Sequence, residues 1–123
     1  MPKILIVEDD QDTRQLLKVR LETKGYETAF AWDAVTAISV ARAERPDLIL
    51  LDFGLPGGDG VVVMKRLQTF PALAPIPVIV VSAREPISTG ERALLVGAVA
   101  DVQKPIDSHE LFDAISRALH EDA

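Results

Sequence analysis

The stretch PDLILLDFGLPGGDG, residues 46–60, gives the clearest indication of the fold. Its apolar run, Leu48–Leu51, has no polar alternation, which is typical of a strand that helices cover on both faces. The run ends in a carboxylate, Asp52, and a loop rich in glycine and proline follows at once. For a single aspartate, a strand end ahead of a helix cap is the simpler interpretation. An acid at the rim of such a loop also suits a group that meets a ligand.

Five short runs rich in β-branched residues or leucine recur along the chain: Ile4–Val7, Tyr26–Ala31, Leu48–Leu51, Val78–Val81 and Val99–Val102. Helix-length segments separate them. Three of the runs are continuously apolar, which indicates parallel strands buried on both faces. The pattern predicts one α/β domain over residues 1–123, a doubly wound (βα)5 unit with a five-stranded parallel sheet and helices on both faces.

Polar residues at the expected helix starts predict the helix boundaries: Asp12, Asp33, Asp59 and Ser108. Asp12 has Gln15 three residues on, as in a capping box. The fourth predicted helix, around residues 87–96, carries Gly90 in its middle, which lowers stability by about 0.5–1 kcal/mol relative to alanine. We therefore expect this helix to be the mobile one.

The composition excludes several classes of protein. Thirteen basic against nineteen acidic residues give a net charge of -6, which argues against direct nucleic-acid binding. The absence of cysteine excludes disulfides and thiolate metal sites, and two isolated histidines disfavour zinc. The opening MPKILIVEDD has too short an apolar run for a signal peptide or a membrane span. We therefore expect a cytoplasmic protein that does not bind membranes.

Chemically active side chains follow the predicted strands at their carboxyl ends, where ligands bind in such sheets: Glu8, Asp9, Asp10, Asp52, Ser82 and Lys104. Each alone has a simpler explanation as a solvated acid, a strand-end hydroxyl or a surface lysine. Together the acids present a problem, because two carboxylates about 4 Å apart repel by about 4 kcal/mol at an effective dielectric constant of about 20.

Three arrangements relieve that repulsion: a raised pKa on one acid, the ammonium group of Lys104, or a divalent cation. An all-oxygen set of ligands suits Mg²⁺, whose shell a phosphate oxygen often completes. The cluster therefore favours a metal-assisted phosphoryl site with Asp52 as the nucleophile.

Four blocks in order, ILIVEDD, PDLILLDFGLPGGDG, VIVVSA and GAVADVQKP, resemble those of the receiver domains of two-component response regulators across essentially the whole chain. The resemblance implies a flavodoxin-like strand order, 2-1-3-4-5. It also implies a phosphoacceptor function that depends on Mg²⁺.

The resemblance assigns roles to individual residues. Asp52 corresponds to the phosphoacceptor, Ser82 to the hydroxyl that binds the phosphoryl group, and Lys104 to the lysine that pairs with it. The peptide bond between Lys104 and Pro105 is typically cis in this family.

The metal ligands implied by the resemblance are the side chains of Glu8, Asp9 and Asp52 and the backbone carbonyl of Gly54. Asp9 would be the closer ligand of the acidic pair. Asp10 lies one place beyond that pair, and we assign it no metal.

The resemblance also implies partners: a sensor histidine kinase or phosphotransfer protein as donor, and an unidentified output domain or protein. It allows a homodimer through the fourth predicted helix, strand five and the last helix. A receiver domain assists its own phosphorylation and dephosphorylation without being a turnover enzyme. Alternatives are a docking module that is never phosphorylated, a small hydrolase with an aspartyl intermediate, and a flavin-binding domain. The acidic loop after strand one disfavours the last, because it lacks a phosphate cradle.

One position departs from the family pattern. Three residues before the lysine the family usually has Tyr or Phe, and this chain has Asp101. A carboxylate cannot enter an apolar pocket without a desolvation cost of several kcal/mol, so the aromatic form of the switch is not expected.

We therefore predict that phosphorylation changes the stability of the fourth predicted helix and the strand-five face instead of turning a ring. Hydrogen exchange over residues 83–101, compared with and without a phosphate mimic plus Mg²⁺, measures this. Unchanged protection in that stretch would contradict the prediction.

Overall fold

The computed structural model describes residues 1–55, 59–82 and 97–120, with the backbone alone at Asp59 and Ser82. Its five parallel strands form one sheet in the order β2-β1-β3-β4-β5, which confirms the predicted doubly wound fold. The strands are β1 Lys3–Val7, β2 Glu27–Ala31, β3 Leu48–Asp52, β4 Val78–Ser82 and β5 Ala100–Gln103.

Four helices lie within the described ranges: α1 Gln11–Thr23, α2 Ala34–Glu44, α3 Asp59–Thr69 and α4 Ser108–Leu119. The helix predicted around residues 87–96 lies outside them, and α4 is the last of the five predicted helices. Each described helix is too short or too polar to cross a lipid bilayer.

The sheet has an apolar core on each face. Successive residues of β1 and β3 alternate between the two cores, so Leu5 and Ile49 contact α2 and α3 while Ile4 and Leu48 contact α1 and α4. All four are 0% exposed. Burial on both faces explains why Ile4–Val7 and Leu48–Leu51 contain no polar residue. We refer to the two cores as the α2–α3 core and the α1–α4 core.

The strand register brings the carboxyl ends of the central strands to one edge. Val7 pairs with Leu51, and Asp52 pairs with Val81 in the next strand. Ser82 pairs with Gln103, one residue before Lys104. We refer to this edge as the acidic rim.

The N-cap predicted for α1 is wrong. The cap is Asp10, whose carboxylate accepts a hydrogen bond from the backbone N–H of Thr13 at 2.9 Å and another from the Thr13 hydroxyl. Asp12 lies in the first turn instead. The hydroxyl at position 13 gives Asp10 a second donor, which explains why the helix begins earlier than predicted.

The other boundaries agree more closely with prediction. Asp33 caps α2 through a capping box with Thr36. Asp59 is the first residue of α3 rather than the residue before it. Asp107 caps α4 by accepting the His109 N–H at 2.8 Å, so the predicted cap Ser108 is the first helical residue.

The corrected cap of α1 predicts a difference between two neighbouring aspartates. Asp10→Ala should lower the free energy of unfolding by about 1 kcal/mol, because the Thr13 N–H loses its acceptor. Asp12→Ala should change it by less than about 0.5 kcal/mol. Urea unfolding measures both, and Asp10→Asn, which keeps the cap but loses the charge, is the control. A larger effect at position 12 would contradict this assignment.

Candidate functional site

Three carboxylates meet at the acidic rim: Glu8 directly after β1, Asp9 beside it, and Asp52 at the end of β3. One oxygen from each lies within 4.8 Å of the others. Glu8 is 2% exposed and Asp52 is 5% exposed, whereas Asp9 is exposed. The adjacent positions of β1 and β3 in the sheet cause this convergence, as the sequence predicted.

Lys104 extends toward the two buried acids from the end of β5. Its Nζ lies 3.5 Å from Glu8 Oε1 and 3.6 Å from Asp52 Oδ2. The peptide bond between Lys104 and Pro105 is cis, as the resemblance implied. The lysine therefore places its ammonium group between both carboxylates, although its strand is separated from β3 by β4.

Backbone N–H groups orient the two buried acids. Gly54 donates its N–H to Asp52 Oδ1 at 2.9 Å, and Asp10 donates its N–H to Glu8 Oε2 at 3.1 Å. A Cβ at Gly54 would lie 3.3 Å from Asp52 Oδ1, so the missing side chain leaves room for this contact. Each acid is thus fixed through one oxygen and faces Lys104 with the other.

The pKa of Glu8 is raised from its ordinary value of 4.5 to about 7. Burial is the largest cause, followed by a side-chain hydrogen bond and charge repulsion with Asp52. The N–H of Asp10 and the charge of Lys104 act in the opposite direction without reversing the shift. Two of the remedies predicted for the crowded acids, a raised pKa and a nearby ammonium group, are therefore both present.

Arg14 supports the loop between β1 and α1. Its guanidinium donates to the backbone carbonyl of Glu8 at 2.9 Å and to that of Asp9 at 3.3 Å. The sequence did not predict this role, because an arginine one turn into an amphipathic helix resembles any solvated residue. The contacts hold the acidic pair in place through the backbone.

A glycine holds the start of α3 close to the loop after β3. A Cβ at Gly60 would lie 2.8 Å from the Cα of Phe53, closer than a real side chain allows. Phe53 is itself 7% exposed. This contact fixes the backbone next to Asp52.

The remaining predicted positions lie at or near the rim. Ser82 ends β4, adjacent to β5 in the sheet. Asp101 is half-buried and pairs with Val80, while Ala100 and Val102 on either side of it pack into the α1–α4 core. The segment 83–96, on which the predicted switch depends, lies outside the described residues.

Sequence comparisons place this arrangement in a known family. A family model for the response regulator receiver domain matches residues 4–116. Sporulation initiation phosphotransferase F of Bacillus subtilis is 35% identical over 117 residues, which cover 95% of this chain and 93% of the relative. Polar-differentiation response regulator DivK of Brucella anthropi is 38% identical, with 97% and 98% covered. Other relatives are longer: the Escherichia coli transcriptional regulatory protein KdpE is 40% identical, and the match covers 90% of this chain but 48% of KdpE.

Solved structures agree with the sequence comparisons. The signal receiver domain of a signal transduction histidine kinase from Syntrophus aciditrophicus has a TM-score of 0.88 at 32% identity, with 98% of this chain and 92% of the other covered. The receiver domain of the Francisella response regulator 1452 has a TM-score of 0.87 at 26% identity, with 98% of each chain covered. The chain therefore belongs to the response regulator receiver domain family.

Proposed function

We propose that this chain is the phosphoacceptor of a two-component system and that Asp52 accepts the phosphoryl group. The donor would be a phosphohistidine on a sensor histidine kinase or a phosphotransfer protein. The observation that supports this most directly is the buried carboxylate of Asp52 at the rim, close to Glu8 and 3.6 Å from Lys104 Nζ. A carboxylate that is buried and oriented in this way is suited to act as a nucleophile rather than to be a solvated surface charge.

The proposed transfer is a single displacement at phosphorus. An oxygen of Asp52 forms the new P–O bond while the P–N bond to the donor imidazole breaks, and the imidazole, which carries a proton on its other ring nitrogen, leaves as the neutral ring. The Gly54 N–H orients one oxygen of Asp52, and Lys104 lies 3.6 Å from the other. Lys104 would stabilise the negative oxygens of the phosphoryl group, and Ser82 is the proposed hydroxyl donor to it.

The donor set at the rim fits Mg²⁺. Carboxylate oxygens from Glu8, Asp9 and Asp52 lie close enough to share one ion, and Mg²⁺ prefers such hard ligands. The Gly54 carbonyl is the proposed fourth protein ligand. Bound Mg²⁺ would neutralise negative charge on the carboxylates and on the incoming phosphoryl oxygens. Among the described residues of the rim, one ammonium group, that of Lys104, lies near three carboxylates.

In this proposal the chain is not a turnover enzyme, because the nucleophile keeps the phosphoryl group until hydrolysis. Its output would pass through a partner or an attached domain, since the curated relatives include both short and longer proteins. Homodimerisation, a cytoplasmic location and the absence of nucleic-acid contact stay predictions. The docking-only alternative keeps support from Asp101, which replaces the usual aromatic residue.

Phosphorylation can be measured on the intact protein. Incubation with acetyl phosphate and Mg²⁺ should add one phosphoryl group by intact-mass spectrometry, and chelation of Mg²⁺ should abolish the addition. Asp52→Asn should remain unmodified, whereas Asp113→Asn, which removes an exposed carboxylate on α4, should be modified like the wild type.

Two other outcomes identify the alternatives. A wild-type chain that takes up no phosphoryl group would favour the docking module. Continuous release of phosphate over many turnovers would favour the hydrolase.

The raised pKa of Glu8 makes the metal-free protein sensitive to pH. Glu8 has a higher pKa in the folded protein than in the unfolded chain. It therefore destabilises the fold only at a pH at which its carboxyl group is ionised. The penalty is absent below pH 4.5, grows as the pH rises, and is complete above about pH 7. It amounts to about 3 kcal/mol, from about 1.4 kcal/mol for each pKa unit.

Glu8→Gln should therefore stabilise the metal-free protein by up to about 3 kcal/mol at pH 8 and change it little at pH 4.5. Urea unfolding in a chelator measures this, and exposed Asp9→Asn is the control with a small expected effect. Addition of Mg²⁺ should stabilise the wild type more than either variant. Equal stability of Glu8→Gln and wild type at pH 8 without metal would contradict this account.

A further inference from the structure

A groove of about 720 Å³ runs along the outer side of α2 and the end of α3. Three arginines and three apolar residues form its main features: Val35, Ile38, Arg42, Arg45, Arg66 and Phe70. We refer to it as the arginine groove. Its volume lies in the range of ligand-binding clefts, about 300–1,000 Å³.

The cationic part of the arginine groove lies toward the amino ends of the strands, whereas Asp52 lies at the carboxyl end of β3. The end of α2 is tied to the start of β1, because Lys3 Nζ contacts Glu44 Oε1 at 2.8 Å and the Lys3 N–H donates to Asp47 Oδ2 at 2.8 Å. Asp52 lies at the other end of its strand, at the acidic rim. The groove is therefore separate from the proposed phosphorylation site.

Within the described residues, no ion pair neutralises the charge of the three guanidinium groups of the groove. Throughout residues 1–55, 59–82 and 97–120, none of them has a carboxylate within 4.0 Å. The helix dipole favours a cation in the last turn of a helix, which accounts in part for these arginines. The arginines in the last turns of α1 and α4, however, each have a polar partner as well. Arg20 donates to the Ile106 carbonyl at 3.1 Å, and Arg117 pairs with Asp113 at 3.0 Å.

Arg45 occupies a backbone position that favours glycine. It is the C-cap of α2, with φ of 48° in the left-handed region. Glycine adopts that conformation without the clash that a Cβ causes. An arginine at this position therefore holds its guanidinium group at the end of α2 at a conformational cost.

Apolar surface adjoins the cationic part of the groove. Val35 is 69% exposed, which is high for a large apolar side chain. The Arg42 guanidinium lies 5.1 Å from the centre of the Phe70 ring, and this stacking orients it. The groove thus offers an apolar contact and several planar donors suited to carboxylates.

We propose that the arginine groove binds an acidic peptide segment of a partner protein. Apolar side chains of the segment contact Val35 and Ile38, and its carboxylates pair with Arg42, Arg45 and Arg66. Charge complementarity identifies the occupant, because three arginines that have no ion-pair partner among the described residues suit carboxylates, and exposed Val35 beside them suits an apolar side chain.

A synthetic peptide tests the proposal on the full chain. Acetylated Leu-Glu-Glu-Leu-Leu-Glu-Glu-Leu amide, titrated into ¹⁵N-labelled protein, should shift the amide signals of the groove residues saturably. The same peptide with glutamine in place of every glutamate should bind at least about tenfold more weakly. Binding of the two peptides with equal affinity would overturn acidic recognition, and so would the lack of saturable shifts in the groove.

Paired charge variants localise the interaction. Arg42→Gln with Arg66→Gln should weaken peptide binding about tenfold, whereas Lys18→Gln with Arg117→Gln, which removes the same charge elsewhere, should change it less than about twofold. Thermal unfolding checks that both proteins are folded. Equal losses in the two double variants would overturn the proposal, because they would indicate non-specific attraction.

Arg45→Gly separates a structural role from a binding role. It should raise the Tm, because glycine relieves the left-handed backbone, and at the same time weaken peptide binding. Unchanged peptide affinity would overturn the role of Arg45.

Two further results would assign the groove to a different occupant and overturn the proposal. Inorganic phosphate that produces the same shifts and displaces the peptide would indicate a small-anion site. A dimer in sedimentation that the Arg42→Gln and Arg66→Gln pair dissociates would indicate a second copy.

Discussion

The buried carboxylates of Glu8 and Asp52 repel each other, and this repulsion shapes the whole site. Both acids lie at the ends of adjacent parallel strands, with almost no exposure to water. Three features offset that repulsion. The ammonium group of Lys104 lies close to both carboxylates, and a backbone N–H donates to one oxygen of each carboxylate. The pKa of Glu8 is also raised. Two buried acids held this close together bind positive charge more strongly than a solvated pair of acids would.

The fold separates two surfaces of different chemistry. At the acidic rim, the close approach of Gly60 to Phe53 fixes the start of α3 beside Asp52. At the other end of the same helix, Arg66 and Phe70 line the arginine groove. A partner held in the groove would thus contact a helix whose first turn adjoins the phosphoacceptor. The two sites lie on the same chain and share no residue.

The sequence predicted the sheet and the rim well, because buried parallel strands have an unmistakable apolar pattern and their carboxyl ends must meet. The prediction was wrong at the start of α1, where several polar groups compete to cap the helix. Consecutive acids at the start of α1 offered several caps, and the Thr13 hydroxyl favours Asp10 over the predicted Asp12. Arg14 contacts backbone carbonyls, which leave no pattern in the sequence. The arginine groove joins residues from two helices and a turn, so no motif marks it. The predicted switch segment lies outside the described residues.

We propose above that the acids of the rim bind a divalent cation. Mn²⁺ accepts the same hard oxygen ligands as Mg²⁺ and broadens nearby NMR signals. Titration of ¹⁵N-labelled protein with trace Mn²⁺ should broaden the amides of Glu8, Asp9 and residues 52–54 first, and excess Mg²⁺ should restore them. Broadening that begins at other acids, such as Glu110 and Asp113 on α4, or that Mg²⁺ does not reverse, would contradict the account.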